Sequence, residues 1–205
     1  MAAQPTIGTK TRRGERDGVP AGASMAVIEE IDQRLLRSPI DFLMAEHYRL
    51  RAVLNHLDWL AREPVDAAWR RVAGAVLAYF SKDHPWHGDD EEKDLFPLLN
   101  MRCPDDAAIR PVLEVLASEH ESDDVLAMAV RSTMEARLEG PSGEPGSSLQ
   151  IAIKAFTATQ RRHLAWENAV VLPLARRYLV EDDLRVLAER MARRRGTSLD
   201  APVTE

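Results

Sequence analysis

The sequence predicts an all-α protein, and three observations support this prediction. Apolar residues recur at alternating steps of three and four along several long segments. No segment alternates with period two for long enough to form a strand, and glycine and proline are concentrated near the N-terminus and in one internal loop. The alternating step is typical of the buried stripe of a helix in a bundle. A chain of 205 residues has the size of one domain with a sizeable core.

The N-terminal part of the chain leads into a first long helix. Residues 1–24 hold four of the ten glycines, and we expect them to form a disordered tail. Residues 26–37 predict a short helix. Ser38 and Pro39 then supply an N-cap and a first-turn proline for a helix that runs to about Arg62. Its apolar stripe consists of Ile40, Leu43, Leu50, Leu54, Leu57 and Ala61.

The second and third long helices follow without a long linker. The second begins near Asp66 and reaches about Leu99, with an interruption at Pro85, because proline lacks a backbone donor and clashes with the preceding turn. We expect a kink there, with Asp83 capping the continuation. The third helix covers about 105–138, and its stripe consists of Ile109, Leu113, Leu116, Ala127, Val130 and Met134.

The C-terminal part predicts one loop and two more helices. The segment GPSGEPGSS, residues 140–148, holds three glycines and two prolines and forms a loop. A fourth long helix covers about 149–178, and a shorter fifth covers 181–195. The predicted domain is therefore 25–195, with a core bundle at 38–178, and we expect a disordered tail at 196–205.

Composition excludes several classes of protein. The formal net charge of −6 gives no overall attraction for nucleic acid or anionic lipid. Cys103 is the single cysteine, which excludes an internal disulfide and any CxxC site and suits a reducing compartment. No apolar run approaches the length of a membrane span, and the N-terminal residues lack the apolar region of a secretory signal. We therefore expect a cytoplasmic protein without nucleic-acid or membrane partners.

Residues that bind metal ions interrupt the apolar stripes. Each long helix places one histidine there, and a glutamate follows four residues later on the second and fourth helices; the set is His47, His87, Glu91, His120, His163 and Glu167. One helical turn separates residues four apart, so both members of each pair can reach one ion. Burying these groups unpaired is costly, and a cation removes that cost. The ligand faces are predicted as Phe80, His87, Glu91, Leu95 and Leu98, and as Phe156, His163, Glu167, Val170 and Leu174.

The chain also contains an internal repeat. His87-x3-Glu91-x5-Pro97-Leu98 matches His163-x3-Glu167-x5-Pro173-Leu174, and Ala45-Glu46-His47 matches Ser118-Glu119-His120. The first and second helices, and the third and fourth, are thus two copies of one helical hairpin. A bundle with pseudo-twofold symmetry would set two equivalent half-sites face to face.

These motifs together resemble those of the hemerythrin-like, or HHE cation-binding, family over about residues 38–178. The resemblance rests on AEH in the first helix, H-x3-EE-x3-FP in the second, EH in the third and H-x3-E-x4-LP in the fourth. It implies an up-down-up-down four-helix bundle holding two non-haem irons bridged by carboxylates and an oxo group. One half of the site would use His47, His87 and Glu91, and the other His120, His163 and Glu167.

One position departs from the family pattern. Oxygen-carrying hemerythrins resemble this chain but have a second histidine four residues after that of the third helix, where this chain has Asp124, next to Asp123. We expect Asp124 to be a further ligand, and an added carboxylate favours ferric iron. Sensing, iron handling or peroxide chemistry is then favoured over reversible oxygen carriage. The roles of His84, Asp123, Tyr48 and Tyr79 stay open.

The polar residues beside the predicted ligands are interpreted as solvent-facing. His56 falls on the opposite helix face from His47, and Glu92 lies off the stripe of Glu91. Glu46 and Glu119 directly precede ligand histidines and could hydrogen-bond to the site, but a solvated face is the preferred interpretation.

The function expected from this resemblance is a di-iron protein that binds or reacts with O2, NO or peroxide, with such a small molecule as partner and no protein partner identified. A di-iron enzyme that decomposes peroxide or oxidises iron is the alternative. A structural zinc site is a further one, although it would leave buried polar groups without partners. A ferritin-like site is disfavoured because no histidine has a glutamate three residues before it, and the chain has no HExxH motif.

Overall fold

The computed structural model describes residues 28–103 and 109–199, and within these ranges the chain is helical and contains no strand. The predicted tail at 1–24 lies outside the described residues, as does the part of the C-terminal tail beyond residue 199. The Leu199 carbonyl accepts a hydrogen bond of 2.7 Å from the Arg37 guanidinium, so the chain contacts its N-terminal part as far as Leu199.

The helical elements agree closely with the predicted segments. A 3-10 helix at Gln33–Arg37 is followed by α1 (Pro39–Leu60), α2 (Ala67–Lys82), α3 (His84–Asp90), α4 (Phe96–Arg102), α5 (Ile109–Glu139), α6 (Ser147–Trp166), α7 (Leu172–Tyr178) and α8 (Glu181–Arg194). Two π-helical turns, π1 (Glu91–Leu95) and π2 (Glu167–Val171), join α3 to α4 and α6 to α7. Across both described ranges, no helix combines the length and the apolar character needed to cross a membrane.

Most of the predicted helix starts are confirmed, with two corrections. Asp66 caps α2 by accepting a hydrogen bond from the Trp69 N–H, and α2 ends just before Pro85, as predicted. Asp83 does not cap α3 with its side chain but pairs with Arg49 at 3.0 Å. The predicted helix at 26–37 is, within the described residues, only the 3-10 helix Gln33–Arg37. Asp32 caps this helix, and its carboxylate accepts from the Arg34 N–H.

The two π turns change the buried faces of the helices in the same way. From His87 one line of buried residues runs at intervals of four through Glu91, Leu95 and Leu99. From His163 they follow equally at Glu167, Val171 and Ala175. Three turns of α-helix take about 10.8 residues, so each stretch holds about one residue more than regular helix allows. A π turn accommodates that extra residue.

The amino-acid sequence explains where the π turns form. The Phe96 N–H donates to the Glu91 carbonyl, and the Leu172 N–H donates to the Glu167 carbonyl. The next residue in each helix is a proline, which has no N–H and would clash with a carbonyl in the preceding regular turn. The predicted positions of Leu98, Val170 and Leu174 on the ligand faces are therefore wrong by one residue, since these side chains are only half-buried.

The core consists of two apolar clusters with a polar layer between them. One cluster includes Leu43 and Leu116, and the other includes Leu50 and Ala127. On α1 the residue between the clusters is His47, and on α5 His120 occupies the same level. The polar layer thus crosses the bundle midway and is enclosed by apolar side chains on both sides.

Helix α1 buries a wider face than its apolar stripe predicted. It contacts α2, α6, α7 and α8, so side chains on both flanks of the stripe are covered. Glu46 and His56 are both buried as a result, and the His56 Nδ1 donates to the Ala52 carbonyl within the helix. The prediction that these two residues face solvent is wrong.

Candidate metal centre

The structure brings six of the predicted ligands together in the polar layer. Their atoms form two groups, in each of which all ligand atoms lie within 4.8 Å of one another. The first group is His47, His87, Glu91 and Glu167, and the second is Glu91, His120, His163 and Glu167. Both glutamates belong to both groups. The arrangement provides two adjacent cation positions that share two carboxylates.

The Nε2 atoms of the histidines point at the shared carboxylates. His47 Nε2 lies 3.5 Å from Glu91 Oε1 and 3.5 Å from Glu167 Oε2. His120 Nε2 lies 3.4 Å from Glu91 Oε2, and His163 Nε2 lies 2.6 Å from Glu167 Oε1. His87 Nε2 is 3.7 Å from Glu91 Oε2. The imidazoles therefore surround the two carboxylates from both hairpins.

Several of these buried atoms have no hydrogen-bond partner. They are the Nε2 atoms of His47 and His163 and all four carboxylate oxygens of Glu91 and Glu167. When each imidazole carries its proton on Nδ1, these contacts join two acceptors and are not hydrogen bonds. Buried polar atoms without partners are destabilising, and carboxylates without partners especially so. Bound cations would satisfy these atoms, so the residues present fit a metal centre.

The other ring nitrogen of each histidine is held by an oxygen atom. His47 Nδ1 is 3.1 Å from Asn168 Oδ1, and His120 Nδ1 is 2.8 Å from Glu92 Oε1. In the same way, His87 Nδ1 is 3.2 Å from Glu46 Oε2 and His163 Nδ1 is 3.2 Å from Glu119 Oε2. These oxygens accept, so each Nδ1 donates and the Nε2 lone pair remains for a metal ion.

The contacts of Glu46, Glu119 and Glu92 correct the interpretation made from the sequence. Glu46 and Glu119 do not bind the histidines beside them; each binds the histidine of the next helix in its own hairpin. Glu92 is partly exposed, yet it binds His120 of the other hairpin. These partners lie on neighbouring helices, and a single-helix pattern cannot reveal them.

The electrostatic environment favours positive charge in the site. Burial opposes protonation of His87, but Glu91 and Glu46 outweigh it and raise its pKa to about 10. Burial also opposes protonation of His163, but Glu167 outweighs it and raises the pKa of that imidazole to about 9. Burial would raise the pKa of Glu91, but His87 and its neighbours lower it well below its usual range. The shared carboxylates therefore favour positive charge at this point of the bundle, whether protons or cations carry it.

A cavity of about 140 Å³ opens beside the second ligand group. Its lining includes His120, His163, Gln160, Asp123 and Asp124. Asp123 is 1% exposed, accepts a hydrogen bond of 2.6 Å from Gln160 Nε2 and leaves Oδ1 without a partner. Burial raises the pKa of Asp123 to about 6. The cavity therefore has a buried carboxylate in its wall, close to the histidines.

The structure does not bring Asp124 to the ligand groups. Its side chain is exposed at the rim of the cavity, whereas Asp123 is buried. The reason is the helical step, because Leu116, His120, Asp123 and Ala127 follow at intervals of four, three and four. Continuing the alternation of the apolar stripe would have identified Asp123 as the inward-facing carboxylate.

The remaining open residues lie outside both ligand groups. His84 packs between Phe80 and Phe156, with ring centroids 5.5 and 5.8 Å away, and burial lowers its pKa to about 4. Tyr48 is exposed. Tyr79 is buried beneath the Arg49 guanidinium, which lies 5.3 Å from the ring centre.

Comparison with known proteins gives a family and one relative. The family model of the hemerythrin HHE cation-binding domain matches residues 38–175, which include all six residues of the two ligand groups. A protein of Haemophilus influenzae, named only as uncharacterized, is 25% identical over 175 residues. The match covers 83% of this chain and 98% of that protein.

Proposed function

The chain belongs to the hemerythrin HHE cation-binding family, and from this premise we propose that it is a non-haem di-iron protein that binds or reacts with O2, NO or a peroxide. In this proposal, residues 38–178 form an up-down-up-down four-helix bundle. The two ligand groups would hold two irons, with Glu91 and Glu167 common to both.

The observation that carries this proposal is the sharing of both glutamates by both groups. A single ion could satisfy one group only, and Nε2 of a histidine in the other group would keep no partner. Such buried polar atoms are costly. Two ions satisfy every unpartnered atom of His47, His163, Glu91 and Glu167, which favours a dinuclear centre over a mononuclear structural site.

The donor types are compatible with iron, and the proposed reaction with O2, NO or a peroxide favours a redox-active metal. The groups offer imidazole and carboxylate donors and no thiolate, a set that suits iron, manganese and zinc. Zinc has no redox chemistry. Two irons joined by carboxylates would supply electrons to, or share them with, O2, NO or a peroxide.

The protein side chains prepare the site for a small molecule. The Nδ1 hydrogen bonds orient all four imidazoles, and the apolar clusters on either side limit the access of water. The cavity beside His120 and His163 offers a route for a diatomic molecule or peroxide, since a buried water needs only about 10–15 Å³ of such space.

A di-iron enzyme that decomposes peroxide or oxidises iron is the second candidate, and Asp123 favours it. Its Oδ1 is buried, unpartnered and close to the second ligand group. Because burial raises its pKa to about 6, Asp123 is partly protonated just below neutral pH and can exchange a proton at Oδ1 with a small molecule in the cavity.

Metal analysis of protein purified from iron-replete cells tests the proposal, together with optical spectra of the reduced protein before and after addition of O2, NO or peroxide. We expect about two irons per chain and spectral changes on addition of at least one of these molecules. Glu91→Gln, which alters a residue of both groups, should lose both irons. One tightly bound zinc per chain and no redox-dependent absorbance would contradict the proposal.

A further inference from the structure

Arg195 places a buried positive charge behind the first ligand group. It directly follows α8 and lies beyond residue 175, where the family match ends. Its side chain is only 3% exposed, and Nη2 lies 2.7 Å from Glu46 Oε1 and 2.7 Å from Asp90 Oδ2. The guanidinium of the residue that ends the C-terminal helix therefore joins α1 to α3.

Both carboxylates that Arg195 contacts are next to metal ligands. Glu46 uses its other oxygen, Oε2, to accept from His87 Nδ1 at 3.2 Å. Asp90 is fully buried and precedes Glu91, the first residue of the π1 turn. The chain of contacts from Arg195 thus reaches His87 through Glu46 and the backbone of Glu91 through Asp90.

A contribution to stability alone does not account for this buried charge. Removing a guanidinium and two carboxylates from water is costly, and apolar residues of similar volume often stabilise a protein as well or better. The Arg195 guanidinium also lies 4.7 Å from the centre of the Phe42 ring and 5.7 Å from that of Trp86, so its position is closely defined. Such a rigid contact suits the orientation of another group.

The other half of the site provides an internal comparison. Glu119 holds His163 as Glu46 holds His87, and it also contacts an arginine, Arg162, at 2.8 Å. The Arg162 side chain is 55% exposed and comes from the same helix as His163. An exposed pair of this kind is screened by solvent and contributes little. The two His–Glu–Arg chains are thus alike in connection but differ in burial.

We propose that Arg195 is a positioning residue of the metal centre, which fixes His87 through Glu46 and so slows the loss of the ion from the group of His47 and His87. The C-terminal helix then belongs to the site although it lies outside the matched family segment. This inference rests on the proposed function only in requiring that a cation occupies this group.

Cobalt(II) is a suitable probe, because imidazole and carboxylate donors bind it and its visible absorbance reports on its ligands. The full-length protein is loaded with cobalt(II) and mixed with excess chelator, and the loss of absorbance is followed. We expect one of the two release phases to be up to about 10-fold faster in Arg195→Met, since direct partners of ligand histidines affect affinity by about 10–100-fold and Arg195 acts through one such partner, Glu46. Arg195→Lys should lie between Arg195→Met and the wild type.

Three variants separate positioning from simple docking of α8. Arg190→Met removes a contact of α8 with Asp94, at 2.8 Å, without touching Glu46, and should release cobalt at the wild-type rate. Arg162→Met should change release less than threefold. In a Glu46→Gln background, Arg195→Met should add little further effect, since both changes break one chain of contacts.

Several outcomes would overturn the inference. The first is an unchanged release rate in Arg195→Met or, if that variant does not fold, in Arg195→Lys. The second is an equal acceleration of release in Arg190→Met, and the third is a double variant in which the effects of Arg195→Met and Glu46→Gln multiply fully. The last is a wild type that binds no cobalt. Because cobalt binding is measured without iron or oxygen, a protein that binds two cobalt ions but no iron would contradict the proposed function while leaving this inference intact.

Discussion

Glu92 and Asn168 occupy equivalent places in the two hairpins, and each holds a histidine of the opposite hairpin. Each residue directly follows a shared glutamate. Glu92 accepts from Nδ1 of His120, and Asn168 accepts from Nδ1 of His47. The Asn168 amide is oriented by its own donation to the Leu164 carbonyl. The two hairpins are therefore tied together through the ligands themselves, with a charged acceptor on one side and a neutral one on the other.

Removing either acceptor should loosen the metal centre. We expect Asn168→Ala and Glu92→Ala to weaken cation binding by about 10–100-fold, because the imidazole loses the partner that fixes its orientation. Glu92→Gln should have a smaller effect, since an amide oxygen can still accept. Cobalt(II) titration measures these affinities, with the exposed Glu121→Ala as the control. An unaltered affinity in Asn168→Ala would show that this hydrogen bond does not orient His47.

His163 and His84 should differ sharply in their effect on metal content. His163→Ala removes a member of the second group, and we expect it to lose at least one of the two ions. His84 lines the cavity beside the second group but lies outside both ligand groups. His84→Ala should therefore keep the wild-type ratio of metal to protein. Metal analysis after gel filtration compares the two variants. Equal losses in both would mean that the ligand groups are wrongly assigned.

Removal of the metal should lower the melting temperature. Binding to the folded state alone stabilises it by about 2.7 kcal/mol when free metal is 100 times its Kd. For a domain of this size, that corresponds to about 5–10 °C. Calorimetry with and without chelator measures the change. Glu91→Gln, which impairs both groups, should show almost no response to the chelator, and a wild type that behaves in the same way would argue against buried ligands.

The metal-free protein should become less stable as the pH rises from neutral to alkaline. The pKa of His87 is raised to about 10 and that of His163 to about 9, both from 6.5. When folding raises the pKa of a histidine, the resulting stabilisation is complete at pH values below the pKa of the unfolded state. It is lost as the pH increases through the pKa of the folded state. We expect the melting temperature to fall steadily between pH 6.5 and 10. In the metal-loaded protein the ions replace these protons, so a parallel fall there would contradict the explanation.

Substitutions of Asp123 and Asp124 should differ in their effect on the rate of reaction with peroxide. We expect Asp123→Asn to slow the reaction of reduced, iron-loaded protein with peroxide on the order of 100-fold, the usual effect of losing a proton donor. Asp124→Asn should react at the wild-type rate, because its side chain is exposed. Stopped-flow absorbance measures both. If Asp124→Asn slowed the reaction and Asp123→Asn did not, Asp124 would have the ligand role predicted from the sequence.

The helices and the six residues of the two groups could be predicted because each depends on a local pattern. The stripe that holds His47 and the spacing of His163 and Glu167 are properties of single helices. The contact of Glu46 with His87 depends on two helices, and that of Arg195 with Glu46 on a third, so no periodicity along one helix contains them. The burial of His56 cannot be read from α1 alone for the same reason, because the neighbours of α1 cause it.

Two errors could have been avoided from the sequence itself. The alternation of three and four on the third helix leads to Asp123, but the comparison with oxygen carriers led to Asp124. Successive intervals of four after His87 and after His163, each ending near a proline, carry the signal of a π turn. Treating both stretches as regular α-helix moved the predicted face by one residue.

The π turns have a consequence for anyone who transplants this site. An extra residue in a regular helix rotates every later residue by about 100° around the helix axis. If this segment were copied into an idealised α-helical scaffold, either its glutamates or its later apolar residues would be buried, but not both. Deleting one residue between Glu91 and Pro97 would leave about eleven steps from His87 to Leu99, close to three regular turns, so that helix could straighten with Leu99 still facing the core. The minimal portable unit is therefore the ligand pair together with its wide turn and the proline that follows.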